Sequence, residues 1–293
     1  MLRVLVVLVY MVTYGGTTGD RTPLGNSINA FALDLYNELL GCMNDSVNDS
    51  MVISPFSIST AFGMAYLGAA GDTATQIARV LKYPTNVHEQ FEALLTNIAF
   101  SDENYKLNAA NNVFPLTGLE IRPQYVSDVL QFYLAAIKEL DFQKYPEESR
   151  QYINEWVSNK TMEKIPELLH RGDVNSGTVL VLVNAIYFKG DWLTQFNPNV
   201  TSIVDFYVSP LQRISVDMMH SQDIYRYIED PVLDAQVLQL PYTGEEVSMI
   251  VILPKNQNGL PDLEASLTTS NLDEAIAKLY APYSSILVDV HLP

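Results

Sequence analysis

Residues 180–192, LVLVNAIYFKGDW, constrain this chain more than any other stretch. The first nine are apolar except for Asn184. The run is too short to span a bilayer, and its Val and aromatic content reads as a strand buried on both faces. A buried Asn is costly unless its amide is fully hydrogen-bonded. Lys189-Gly190-Asp191 ends the strand as a polar turn, and a lone Trp192 follows.

Around that strand the pattern runs from helices to strands. Residues 26–40 carry apolar side chains at Ile28, Phe31, Leu35 and Leu39, a one-sided helix with Ser27 as N-cap. Residues 57–70 are apolar nearly all round, with small residues that permit close backbone approach. Asp72 is placed to cap the next helix, and further helices are expected over 87–99, 123–133 and 147–159. Strands are expected at 108–114 and 137–142, and strands dominate from Thr178 onward. Thr243-Gly244-Glu245-Glu246 joins two of them as a hairpin. Helix returns over 260–281. This is an α+β pattern with no internal repeat and no low-complexity linker, and it predicts a single domain over 20–293.

The chain has 17 basic and 34 acidic residues, a formal charge of −17. That balance argues against nucleic acid, anionic membranes and sulfated polysaccharides as partners. The N-terminus, MLRVLVVLVYMVTYGG, has Arg3, an apolar core and then small residues, the layout of a secretory signal peptide over 1–19. Secretion to the extracellular space is therefore expected. It gives meaning to four Asn-x-Ser/Thr sequons, Asn44, Asn48, Asn159 and Asn199, as glycosylation candidates. The single cysteine, Cys42, excludes an intrachain disulfide and reads as a partly buried structural thiol.

No catalytic constellation is legible. His88, His170, His220 and His291 show no metal-ligand spacing, no Gly-x-Ser-x-Gly elbow exists, and no glycine loop suited to phosphate follows a strand. No enzyme activity, cofactor or metal is expected. Ser54 and Ser57 flank Pro55 in an apolar setting and read as hydroxyls satisfied internally.

The motif at 180–192 resembles the central-sheet segment of the serpin family, Asn-Ala-x-Tyr-Phe-Lys-Gly-x-Trp. Other segments agree in the family's order: VISPFSISTAFGMAYLGAAG at 52–71, Asn111-Asn112-Val113-Phe114, INEWVSNKTMEKI at 153–165, VDMM at 216–219, VLQLPYTGEEVSMIVILP at 237–254 and VDVHLP at 288–293. Glu163 departs from the pattern, since Gly is common there in the family. The resemblance spans residues 26–293.

It implies a serpin-like α+β domain with N-terminal helices and large mixed and antiparallel sheets. By resemblance Ser54, Pro55, Ser57 and Asn184 form a hydrogen-bonded knot under the main sheet where strands part, and Trp192 is the large aromatic at the top of that sheet. The family traps a serine-type (alternatively cysteine-type) endopeptidase by inserting a cleaved bait loop into the sheet, one use per molecule. The bait loop, the last strands and the family's knot histidine lie beyond residue 293, which is expected to fall inside a main-sheet strand. The resemblance thus implies a suicide inhibitor whose 293 residues stop before the reactive centre, monomeric when complete. The alternative is a non-inhibitory serpin (carrier, storage protein or hormone precursor) or an inactive truncated fragment. Residues 87–105 contain no Lys or Arg, so no heparin-type activation is expected.

Overall fold

The computed structural model describes residues 6–11, 22–42, 51–99, 105–209 and 212–293. Among them are eight helices: α1 (Pro23–Cys42), α2 (Pro55–Gly68), α3 (Gly71–Val80), α4 (Val87–Ala99), α5 (Pro123–Tyr133), α6 (Pro146–Lys160), α7 (Leu260–Ser266) and α8 (Thr269–Leu279). The strands are β1 (Val6–Met11), β2 (Tyr105–Pro115), β3 (Ala136–Ile137), β4 (Leu180–Gly190), β5 (Ser202–Ser209), β6 (Gln212–Asp230), β7 (Ala235–Pro241), β8 (Val247–Pro254) and β9 (Ser285–Leu292). After β1, most helices precede most strands, and α7 and α8 return before β9, an α+β order.

The chain separates into two compact units, each assembled from discontinuous segments. One contains residues 21–35 and 52–189. Its three-stranded sheet runs β3-β2-β4, with β3 parallel to β2. The first core of this unit collects Leu24, Met64, Val87, Phe91, Leu95, Val113, Val129 and Tyr133 from α1, α2, α4, α5 and β2. A second core puts Ile153 and Val157 of α6 against Phe114, Phe142, Val174, Val183 and Ala185, so α6 covers the face of β2 and β4. Ile153 and Val157 are one helical turn apart, which places both on the buried stripe.

The return from α6 is pinned by its own polar residues. Asn154 accepts at Oδ1 from Leu168 N (3.0 Å) and Leu169 N (2.8 Å) and donates from Nδ2 to Leu169 O (2.9 Å). Buried Arg150 forks onto Glu147 at 2.7 and 2.9 Å and reaches Glu167 Oε1 (2.9 Å) and Leu169 O (2.6 Å). The guanidinium holds the Glu147 carboxyl down at about 2. Met162 and Glu163 turn the chain with φ of 50° and 60°. That left-handed backbone suits glycine, which explains the Gly of the resembling pattern at this turn; Glu163 adopts the same backbone with a side chain.

The other unit contains residues 36–51 and 190–293 together with the N-terminal segment. Its sheet runs β1-β8-β7-β6-β5, and β9 also pairs with β6. β7 and β8 form the expected antiparallel hairpin, and α8 packs on β6 and β7. Tyr225, Leu240, Val251 and Val290 fill one face.

Val6–Met11, within the Val4–Val12 apolar core of the expected signal peptide, lies as β1 antiparallel to β8, from Val6↔Ile252 to Met11↔Val247. A short apolar, β-branched run fits a sheet edge as well as a leader, and pattern alone does not separate the two. Residues 288–293, expected in the main sheet, belong to β9, which pairs with β6 over eight positions from Met219↔Leu292 to Arg226↔Ser285. α1 begins at Pro23, and Ser27 lies inside it with its hydroxyl directed at Pro23 O (2.9 Å) and Lys82 O (2.6 Å). Asp72 sits in the first turn of α3 behind Ala70, where it favours the helix dipole without a side-chain cap. Among the described residues no helix is long and apolar enough to cross a membrane.

Candidate functional site: the polar core beneath the three-stranded sheet

Ser54 is the N-cap of α2. Its Oγ accepts from Ser57 N (3.4 Å) and donates to Ser57 Oγ (2.9 Å). Pro55 takes the first helical position, where no backbone donor is needed. The two hydroxyls therefore serve the helix start. Asn184 bonds elsewhere: its Nδ2 donates to Asn111 Oδ1 on β2 at 2.7 Å. Asn111 Nδ2 in turn donates to Tyr133 O at the end of α5, at 2.8 Å. The Oδ1 atoms of Asn184 and Asn112 are buried with no hydrogen-bond partner among the described residues. An unsatisfied buried acceptor costs on the order of 1–3 kcal/mol, so β2 and β4 hold polar groups in reserve.

Tyr133 is the centre of this network. The side chain is fully buried, and its hydroxyl lies 2.7 Å from His88 Nδ1. The His88 ring stacks on Tyr66 with centroids 5.4 Å apart. Tyr83 donates its hydroxyl to Ser59 O. Gly63 of α2 makes room for Tyr133: a Cβ there would stand 2.6 Å from the Tyr133 hydroxyl. A path thus runs from His88 through Tyr133 and Asn111 to Asn184 inside β4.

Burial pushes the Tyr133 and Tyr83 hydroxyls well above the usual tyrosine range, so both stay protonated donors. Burial also lowers His88, against the opposing pull of Glu89 and Asp128. A neutral imidazole can accept from Tyr133 at Nδ1. Unfolded His88 titrates near 6.5 and the folded ring lower, so as pH drops below 6.5 the unfolded state takes up the proton first. Stability is then lost as pH falls. Urea unfolding at pH 7.5 and 5.5 should show a larger drop in the wild type than in His88→Phe; equal drops would remove His88 as the source.

Trp192 belongs to the other unit. It stacks on Tyr242 (4.4 Å, 14°) and meets Phe196 edge-on at 6.3 Å. Asn159 and Asn199 are exposed, although Thr161 of the first sequon is buried and bonded to Val157 O at 2.9 Å. Asn44 and Asn48 lie outside the described residues. Cys42, expected to be partly buried, is exposed.

Two features escaped the sequence. Asn111 is the direct partner of Asn184, and its only signal was a pair of adjacent Asn residues in an apolar strand. The other is a juxtaposition that sequence spacing does not display: His220, Asp289 and His291 converge on adjacent strands, with their ligand atoms within 4.8 Å of one another.

The serpin family model, described as serine protease inhibitor, matches residues 26–293. The chain belongs to the serpin family. Human Serpin B3 is 35% identical over 288 residues, covering 92% of this chain and 72% of the relative. Human leukocyte elastase inhibitor is 38% identical over 259 residues, covering 86% and 67%. Among solved serpin structures, emu ovalbumin superposes with a TM-score of 0.87 at 27% identity, covering 93% of this chain and 73% of that one. Cleaved Serpin 42Da gives 0.81 at 32% identity, covering 92% and 71%. The relatives overturn the expectation of secretion: Serpins B3, B4 and B9 and the leukocyte elastase inhibitors are clade B serpins, an intracellular group. The error came from weighting an apolar N-terminus that a sheet edge explains equally well.

Proposed function

We propose that this serpin inhibits an endopeptidase, of serine type first, by taking a cleaved loop of its own chain into the sheet that contains β4. The observation that carries this reading is the condition of β4. It is the terminal strand of the described three-stranded sheet, and its Asn184 has one half of the amide bonded to Asn111 and the other half buried without a partner. A terminal strand offers a ladder edge to an added strand, and an unspent buried acceptor favours whatever brings it a donor. Ser54, Pro55 and Ser57 anchor the start of α2 in the same unit. Asn111 and Tyr133 tie β4 back to the helices. In this reading they set the resistance to opening.

Trapping follows from elementary steps. The protease serine attacks the bait carbonyl, the leaving amine departs, and an ester joins loop to enzyme. If insertion then displaces the ester from the protease's oxyanion donors, hydrolysis stalls. The test uses protein expressed from the complete reading frame that encodes these residues, incubated with serine endopeptidases of elastase, chymotrypsin and trypsin specificity. A covalent adduct surviving boiling in detergent, at one enzyme per inhibitor, is the expected result. Cleavage with full recovery of every protease would replace this reading with that of a non-inhibitory serpin.

A further inference from the structure

We propose that His220, Asp289 and His291 form a surface binding site for a first-row divalent cation of the zinc class, clamping β9 to β6. His220 stands directly opposite His291 across the strand pair. Asp289, two residues before His291, projects from the same face of β9. The imidazoles stack with centroids 4.7 Å apart and an interplanar angle of 23°. Asp289 Oδ1 lies 2.5 Å from His220 Nε2 and 3.4 Å from His291 Nε2.

The donor set selects the metal class. Two imidazole nitrogens and one carboxylate oxygen suit zinc and its neighbours, whereas calcium and magnesium require oxygen ligands throughout. With bonds of about 2.0–2.2 Å, ligand atoms of a tetrahedral site stand about 3.3 Å apart. The Asp289–His291 separation already meets that value. The shorter Asp289–His220 separation reaches it when the exposed carboxylate moves by less than about 1 Å, and one of the two exposed, stacked rings turns so that both imidazole lone pairs meet the ion. All three side chains are solvent-accessible, with relative exposures of 38%, 54% and 59%, so a hydrated ion can enter and a water can fill the fourth position. His220 lies 69 and 71 residues from Asp289 and His291 in sequence, and the pairing of β9 with β6 brings it to them. The cation would add a metal cross-link to the backbone ladder and the His220–Asp289 contact that already join these two strands here.

The test is calorimetric titration of the full chain, stripped with chelator, with zinc chloride at pH 7.5. One equivalent should bind. His220→Ala, His291→Ala and Asp289→Ala should each weaken binding at least about tenfold, since losing mere supporting partners of a ligand costs about 10–100-fold. His170→Ala, at a ring 3.8 Å from Asp173 and outside the cluster, should leave it unchanged. Cobalt(II) should give the visible bands of a four-coordinate site, absent in the double variant. Gln replacements at both histidines keep a polar cross-strand pair and serve if the alanine variants misfold. Zinc should also raise the melting temperature of the wild type reversibly with chelator, and should not do so in the double Gln variant. No saturable one-equivalent binding, or binding that survives the double variant, would overturn the proposal.

Discussion

Gly63→Val is expected to destabilise the protein by about 3 kcal/mol and to lower its melting temperature by roughly 6–12 °C. Gly63 lies in the middle of α2, where glycine is a poor helix former and a side chain would ordinarily help. The reason for glycine is Tyr133. A Cβ at position 63 would stand 2.6 Å from its hydroxyl, 2.8 Å from Cε1 and 3.0 Å from Cζ. A buried ring cannot swing aside without disturbing its neighbours, and Tyr133 also touches Phe91 at a centroid distance of 5.2 Å. Displacing the ring breaks the contact with His88 and shifts the carbonyl that receives Asn111. Gly63→Ala should behave as a weaker version, because a modest gain in helix propensity offsets part of the overlap. Calorimetry on both variants, with His88 followed by NMR, checks the ranking. A valine variant as stable as the wild type would mean that Tyr133 is not confined.

The same network accounts for what a reader of the sequence could and could not see. The strand at 180–190 was legible because a long apolar run interrupted once has few alternatives, and Asn184 was legible as a polar group that must be satisfied. Its partner was not. Asn111 lies 73 residues away, and a strand pattern gives period and burial without register. Ser54 and Ser57 were read as internally satisfied hydroxyls and are so, but their bonds close on each other. Nothing local foretold that Tyr133 would join His88 to β2, because that depends on how α4 and α5 pack. The hairpin of β7 and β8 was readable from its turn. The pairing of β9 with β6 was not, since it joins strands far apart in sequence, and with it the cluster at His220 and His291 stayed hidden. Residues 6–11 mark the opposite failure: a strong local pattern that has two physical uses.

Asn154→Ala should release the return segment from α6, lowering stability by about 2–3 kcal/mol and opening residues 161–178 to proteolysis. One buried side chain holds three backbone groups of Leu168 and Leu169 at 2.8–3.0 Å, a cross-link between the middle of α6 and the chain that returns from it. Alanine leaves both N–H groups without that acceptor, while Leu169 O retains Arg150. Leu169 packs with Val174, Val183 and Ala185, so freeing it also loosens the apolar cover over β4. Asn154→Asp gives the discriminating comparison. It keeps the acceptors for both N–H groups and loses only the donor to Leu169 O, so it should rank between wild type and alanine in urea midpoint and in trypsin or thermolysin lifetime. Cleavage mapped within 161–178 would locate the release. If the alanine variant resists proteolysis as the wild type does, Arg150 alone is sufficient to hold the segment. If the sheet must admit a strand beside β4, part of the resistance lies in this cross-link, and loosening it should speed insertion while shortening the lifetime of the native state, because an interaction absent from the transition state protects only the native side.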